Sequence, residues 1–198
     1  FDSVVEQVSS ACVRLRLAGA RMEAAQRPFT LALSLCKKDK LELVIEKGTE
    51  LGASAFIALH SARSVVKLCE ERAEARLGRW RKVAQEAARQ CLRSDVPEVT
   101  GPFSLEGAIG AIPPGTPILL LDEEASGSTL SEAFAEHRGR HVPVALAVGP
   151  EGGWERSEVQ RWRDAGGSPV TLGPRILRAE TAAIAALSVL MHLDGRLG

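Results

Sequence analysis

At 198 residues, with 45% hydrophobic positions, the chain is long enough for one domain with a substantial core, or one domain and a small appendage. Lysine plus arginine equals aspartate plus glutamate at 25 each, so net charge points to neither nucleic acid nor membrane as a partner. No apolar run reaches the roughly 18 residues of a membrane span, and no signal-peptide pattern opens the chain. The chain begins at Phe1 without a methionine and reads as a piece of a longer one. Four cysteines, Cys12, Cys36, Cys69 and Cys91, show neither a CxxC pair nor a histidine at ligand spacing. They read as buried reduced thiols of a cytoplasmic protein, with no metal site.

In chain order, Cys12 to Leu17 alternates like a half-exposed strand. Gly19 to Gln26 reads as a loop, and residues 1–27 together as the tail of a small β-rich module. From Phe29 the texture changes to alternating strand and helix. Leu31 to Leu35 is a predicted strand. Asp39 to Leu51 is a helix, with Asp39 as N-cap and Gly52 just past its end. Ala55 to Leu59 is a strand, Glu70 to Leu92 a long helix and Leu105 to Ile112 a short one. Ile118 to Leu121 is a strand, followed by a helix over Thr129 to His137. Val142 to Val148 is a strand, Glu155 to Ala165 a helix, Pro169 to Leu172 a strand and Arg178 to Asp194 the closing helix. Strands alternating with helices imply a mostly parallel sheet covered on both faces.

Two turns in this series are built alike. Leu146-Ala147-Val148-Gly149-Pro150-Glu151-Gly152-Gly153 is echoed by Leu172-Gly173-Pro174-Arg175-Ile176-Leu177-Arg178-Ala179-Glu180-Thr181-Ala182. In each, an apolar run ends on Gly-Pro, a charged residue follows, and a helix begins shortly after. Glycine permits positive φ and close backbone approach, while proline stiffens the turn. The pair reads either as two loops facing one polar small molecule or as two ordinary tight turns. Phosphate-loop readings fail: GxxxxGK[ST] is absent, and Gly149 to Gly153 lacks GxGxxG spacing. The histidines, His60, His137, His141 and His192, are scattered, and none lies in either turn.

Four blocks make the chain resemble a known family. They are Lys37-Lys38-Asp39-Lys40 with Glu46 through Gly52, then Ser61-Ala62-Arg63-Ser64-Val65-Val66-Lys67, then Trp80 through Glu86-Ala87-Ala88-Arg89-Gln90-Cys91-Leu92-Arg93 to Val96-Pro97, and finally the paired Gly-Pro turns. With these the chain resembles the RsmE family, SPOUT-superfamily methyltransferases that methylate N3 of a uridine in small-subunit (16S) ribosomal RNA. The resemblance covers roughly Phe29 to Gly198. It implies an α/β methyltransferase domain with a trefoil knot over residues 28–198, where periodicity alone would give an unknotted doubly wound sheet. It makes residues 1–27 the C-terminal part of a truncated PUA-like RNA-binding β-barrel. It further implies S-adenosylmethionine as cofactor, ribosomal RNA or a ribosomal particle as partner, and a homodimer packed through the last helix, whose Ala182, Ala183, Ala186, Leu187 and Leu190 suit close helix packing but equally a monomer core.

The chemistry then selects residues. Uridine N3 carries a proton, so an enzyme must favour the anion and hold it in line with the methyl carbon. Arg178 is the candidate to stabilise that charge, with Arg175 second; the alternative for Arg178 is a surface pair with Glu180. Glu151 and Glu180 are the nearby carboxylates: one could face the sulfonium or accept the uridine proton directly or through water, Glu180 is a catalytic candidate that equally suits the first turn of a helix, and neither is assigned as general base. For the cofactor pocket the candidates are Leu121, Gly149, Pro150, Glu151, Gly152, Gly153, Leu172, Gly173, Ile176, Leu177, Thr181 and Ala182, acting largely through backbone, although each aliphatic among them equally suits plain core. For RNA they are Arg63, Lys67, Arg89 and Arg93. The basic helix that includes Arg72, Arg76, Arg79, Arg81 and Lys82 reads equally as a solvated face paired with its own glutamates. Trp80 reads as packed beneath that helix, with stacking on RNA as the alternative. Two other functions stay open, a SPOUT methyltransferase acting on a tRNA ribose and a non-catalytic RNA-binding assembly factor.

Overall fold

The computed structural model describes residues 2–19, 26–37, 39–66, 70–125 and 127–198. Its centre is a six-stranded sheet built from β3 (Phe29–Ser34), β4 (Ala55–Leu59), β5 (Glu98–Phe103), β6 (Ile118–Leu121), β7 (Val144–Val148) and β8 (Gly167–Val170). The strand order is β5-β4-β3-β7-β6-β8, and every neighbouring pair is parallel. Successive side chains of a strand point to opposite faces, and the core divides accordingly. Phe29, Leu31 and Leu33 of β3, Leu119 and Leu121 of β6, and Val144, Leu146 and Val148 of β7 join one cluster. Ala32, Ile118, Leu120, Ala145 and Ala147 join the other.

The first face is covered by α1 (Lys40–Leu51), α2 (Glu70–Gln90), α4 (Leu130–Ala135) and α6 (Ala179–Leu193). The second is covered by α3 (Leu105–Ala111) and α5 (Arg156–Asp164). Both faces being buried explains why strands such as Ile118–Leu121 are apolar at every position. Trp80 is buried beneath α2, as its spacing predicts. Ala183, Ala186, Leu187 and Leu190 of α6 are also core of this chain. Their apolar character is thereby explained without a second subunit.

Several boundaries differ from the predicted ones. β8 begins two residues before Pro169, and its register is set by β6: Leu120 faces Pro169 and Leu121 faces Val170. β5 was not expected, because Gly101-Pro102 reads as a breaker; it is an edge strand, where proline is tolerated. Asp39 precedes α1 but makes no side-chain cap. It faces Arg79 at 3.5 Å instead. Gly52 follows α1 with φ +101°, as a left-handed C-terminal residue should.

Residues Asp2–Val8 (β1) and Val13–Gly19 (β2) pair as an antiparallel hairpin in a sheet of their own. β1 has no counterpart among the predicted elements. Val13, Leu15 and Leu17 share one face of the hairpin, and each is more than half exposed. The expected loop over Gly19 to Gln26 lies largely outside the described residues. Of the thiols expected to be buried, Cys36 is buried, Cys91 is intermediate and Cys12 is exposed; Cys69 lies outside the described residues. Among the described residues no helix is long and apolar enough to cross a membrane.

The two ends of the second unit are fastened together. Arg27, buried at the entry to β3, pairs with Asp194 just past α6 at 3.0 Å, and Arg196 pairs with the same carboxylate at 3.1 Å. The guanidinium of Arg27 lies 5.0 Å from the Phe134 ring centroid and that of Arg196 5.0 Å from Phe29.

Gly48 of α1 supplies a stability test. A Cβ there would stand 2.8 Å from Cε1 of Phe56, whose ring is fully buried. Helix propensity favours alanine by about 1 kcal/mol, but overpacking a fixed ring costs about 1–3 kcal/mol. Gly48→Ala is therefore expected to lower the urea midpoint with an unchanged slope; a raised midpoint would show that Phe56 gives way.

Candidate functional site

β6, β7 and β8 are adjacent and parallel, so their carboxyl ends, Leu121, Val148 and Val170, lie along one edge of the sheet. Ligands of open α/β sheets bind at that edge. Here the segment after β6, both Gly-Pro loops and the start of α6 enclose a cavity of about 650 Å³. Its wall combines aliphatic groups, among them Leu121, Val148, Val170, Leu172 and Ala182, with Asp122, Glu123, Glu151, Arg175 and Arg178.

The structure places twelve of the predicted site residues on this wall: Leu121, Gly149, Pro150, Glu151, Gly153, Leu172, Gly173, Arg175, Ile176, Leu177, Arg178 and Ala182. It brings them together although the two loops are some twenty residues apart in sequence. Three others stand elsewhere. Gly152 turns its Cα toward Arg63 rather than the cavity. Thr181 is exposed on the first turn of α6 and is absent from the wall. Glu180 lines a narrow cleft beside the cavity and is held by Lys40 at 3.2 Å, not by Arg178. Val148, Pro174 and Ala179 of the paired turns also line the wall, and Asp122, Glu123, Ala125, Val170 and Thr171, which were not singled out from sequence, complete it. The segment Asp122-Glu123-Glu124-Ala125 reads as an ordinary acidic loop. The available signal was its place, directly after a strand of an α/β sheet.

The wall is braced from behind. The Trp154 indole N–H donates to the Leu121 carbonyl at 3.1 Å, and the ring packs edge-on against Trp162 at 6.0 Å between centroids. Arg156 grips Asp122 with two hydrogen bonds, 2.9 and 3.0 Å, and Asp122 also accepts from the Glu124 N–H at 3.2 Å. Burial pushes the Asp122 carboxyl up, but Arg156 and that N–H outweigh it and hold it below the usual carboxylate range. Glu151 is likewise drawn down, against its burial, by backbone N–H groups and Lys40.

The glycines act differently from one another. Gly153 has φ +67° and Gly173 φ +109°, conformations that favour glycine. Gly149 has no such φ; its missing side chain makes room for Trp154, since a Cβ would lie 3.1 Å from the indole nitrogen. The indole behind the wall thus gives one reason for glycine at 149.

The predicted RNA residues also separate. Arg63 is exposed and donates to the Gly152 carbonyl at 2.9 Å, so the loop after β4 rests on the first Gly-Pro loop. The neighbouring Ala62 N–H donates to buried Glu158 at 2.9 Å. Arg89 is exposed on α2. Arg93 is committed elsewhere: it donates to the carbonyls of Thr49 and Ala53 at 2.9 and 2.8 Å and pairs with Asp95 at 2.7 Å, closing the C-terminal end of α1. Lys67 lies outside the described residues. Along α2, Arg79 pairs with Glu42 at 2.7 Å and Arg81 donates to the Val99 carbonyl at 3.1 Å.

Residues 23–191 match the model of the RNA methyltransferase domain family. The chain is 40% identical to the ribosomal RNA small subunit methyltransferase E of Bacillus subtilis over 165 residues, 82% of this chain and 64% of that protein. It is 36% identical to the same-named protein of Mycobacterium tuberculosis over 198 residues, 98% of this chain and 74% of that protein. The chain belongs to the ribosomal RNA small subunit methyltransferase E family. It spans about two thirds of the length of the Bacillus relative. A crystal structure of the Neisseria gonorrhoeae methyltransferase E bound to S-adenosyl methionine superposes with a TM-score of 0.74 at 32% identity, over 84% of this chain and 66% of that one. In this member of the family, the Gly-Pro loops and the acidic segment after β6 form one cavity wall.

Gly149→Val tests the bracing. The valine must displace Trp154 and with it the hydrogen bond to Leu121. The expected result is a fold of lower stability, an altered tryptophan emission and at least a tenfold weaker cofactor affinity by calorimetry, roughly the loss of a buried hydrogen bond with some packing. Unchanged tryptophan emission together with lost affinity would mean that the side chain meets the ligand directly.

Proposed function

We propose that the chain catalyses S-adenosylmethionine-dependent methylation of N3 of a uridine in 16S ribosomal RNA. The observation that carries this reading is the cavity: both Gly-Pro loops wall it, and two arginines, Arg175 and Arg178, stand on the same wall. Its mixed apolar and hydrogen-bonding surface suits a ligand with an adenine ring, a ribose and an amino-acid end. The backbone of Gly149 to Glu151 and of Leu172 to Leu177 would hold the cofactor, with Leu121 and Ala182 against its apolar parts. When bound, it supplies an electrophilic methyl group.

The remaining work falls to the protein. The target base must be unstacked to reach the cavity and must lose its N3 proton. Arg178 stands at the N-cap of α6, where the helix end adds positive potential. A guanidinium there would stabilise the negative charge that develops on O2 or O4, with Arg175 assisting. Arg63, fastened to the first Gly-Pro loop, and Arg89 on α2 would meet the RNA backbone. Arg93 is left out of this set because its guanidinium closes α1.

Three structural features belong to the same proposal. The chain near the second Gly-Pro turn threads through a loop as a trefoil knot; the hydrogen bonds from the Asp122 N–H to the Val170 carbonyl and from the Leu130 N–H to the Thr171 carbonyl, which tie the segment after β6 to that turn, support this. The hairpin of residues 2–19 belongs to residues 1–27 as the C-terminal part of a PUA-like RNA-binding β-barrel, supported by its exposed Val13, Leu15 and Leu17, since two strands alone are marginal in water. The protein works as a cytoplasmic homodimer, supported by Ile176, which is 86% exposed on the rim of the cavity.

Single-turnover methylation of a ribosomal particle by the full-length protein tests the chemistry, with mass mapping of the modified nucleotide. Methylation at a ribose 2′-oxygen would replace the uridine reading. Arg178→Ala is expected to leave cofactor affinity nearly intact and to slow the step on the order of 100-fold or more. Arg178→Lys should recover only part of it, because an ammonium lacks the planar fork that meets two acceptors. A wild-type rate in Arg178→Ala across the pH range would remove Arg178 from the chemistry. For assembly, sedimentation is expected to show a dimer that Ile176→Asp weakens; a fully active monomer at micromolar concentration would defeat that part.

A further inference from the structure

Lys40 opens α1 between the first Gly-Pro loop and the last helix. Its ammonium lies 3.1 Å from Oε1 of Glu151 and 3.2 Å from Oε2 of Glu180. The backbone N–H of Lys37 donates to the same oxygen of Glu151 at 3.1 Å. One cation thus holds two carboxylates that come from separate elements. None of the three side chains is more than 28% exposed. Glu151 is on the wall of the main cavity, while Lys40 and Glu180 line the narrow cleft that shares Val148, Gly149 and Ala179 with it.

Other charges stand nearby, among them Glu123, Arg175 and Arg178 on the wall of the main cavity. Asp39 and Glu42, on the same stretch as Lys40, turn to Arg79 at 3.5 and 2.7 Å. Cys36, which also lines the cleft, stays a neutral thiol, since burial and then Glu151 push its pKa up to about 12. Asp122 is matched by Arg156. The cluster of Lys40, Glu151 and Glu180 therefore carries one net negative charge beside the cavity.

We propose that Lys40 is a positioning residue that tempers the charge of the cofactor wall, cancelling one of two carboxylates so that the site's preference for a sulfonium over the corresponding neutral thioether is one unit charge weaker than without it. This rests on the S-adenosylmethionine reading and deepens it. Methyl transfer discharges the sulfonium. A wall with two uncompensated carboxylates would hold the charged reactant more tightly than the transition state, where that charge is already fading, and would slow the step. A cluster with no net charge would give up its share of the preference for reactant over product. Lys40 keeps the site between these limits and fixes both carboxylates in place.

Calorimetric titration with S-adenosylmethionine and with S-adenosylhomocysteine, at a pH where all carboxylates are ionised, tests this on the folded protein. The measured quantity is the ratio of the two dissociation constants. Lys40→Met is expected to shift that ratio toward the sulfonium on the order of fivefold, the size of one unit charge several ångströms away in a partly solvated wall, and to lower kcat. Lys40→Arg should keep the wild-type ratio. Lys40→Met combined with Glu180→Gln restores one net negative charge and should return the ratio to the wild-type value. Equal weakening of both ligands by Lys40→Met, with no return in the double variant, would overturn the proposal and leave Lys40 a merely structural tie. If Lys40→Met does not fold, Glu180→Gln alone carries the test: it takes the cluster to zero net charge and must shift the ratio the opposite way. If the wild type binds neither ligand, the cofactor reading itself fails, an outcome distinct from both.

Discussion

The hydrogen bond from the Trp154 indole to the Leu121 carbonyl is the contact on which the site depends. Leu121 ends β6 at a point where its carbonyl is buried, and a buried acceptor left without a partner costs about 1–3 kcal/mol. Trp154 supplies the donor from the far side of the first Gly-Pro loop. To do so the indole passes directly behind residue 149, where a Cβ would stand a tight 3.1 Å from its nitrogen. The same ring packs edge-on against Trp162 and so joins the core beneath α5. Strand end, loop and helix are thereby set in one arrangement, and the cavity is what remains in front of them.

Around that contact, each segment of the wall has its own fastening. Arg156 holds the segment after β6 through Asp122, Arg63 fixes the loop after β4 to the first Gly-Pro loop while Glu158 fixes it to α5, and Lys40 joins the first Gly-Pro loop to α6. Side chains that bind or react are most accurately placed when rigid elements and supporting contacts hold them. The second Gly-Pro loop is the exception. Residues 173–176 are exposed, and the loop's side-chain hydrogen bonds are local, between Thr171 and Gly173. Few buried contacts mean a low cost of local opening.

The opposite end of the sheet has a different task. There the carboxylate of Asp194 receives both Arg27 and Arg196, so the entry to β3 and the exit from α6 are tied together. The two guanidinium groups lie over Phe134 and Phe29, which recovers some of the cost of burying them. α6 is thus anchored at its C-terminal end by this pair of arginines. At its N-terminal end, Arg178 and Glu180 stand at the cavity and its adjoining cleft. A long helix held at one end presents its other end to the site without needing contacts there that would occupy Arg178.

The local patterns of this chain were legible without coordinates: apolar runs of strand length, helical periodicity, Gly52 past a helix, and two Gly-Pro turns of like design. These are matters of propensity and short-range sterics, which neighbours in sequence suffice to impose. The RsmE resemblance rested on the same stretches, and family membership followed from it. Partners distant in sequence were decided only by the tertiary structure. That Gly149 yields space to Trp154, that Arg93 closes α1 instead of facing solvent, that Glu180 pairs with Lys40 rather than Arg178, and that the acidic segment after Leu121 joins the wall all depend on strand order and register. The edge position that lets Gly101-Pro102 lie in a strand is of the same kind. Charge pairing and packing act through space over a few ångströms, and which residues come within that reach is set by how the whole chain folds.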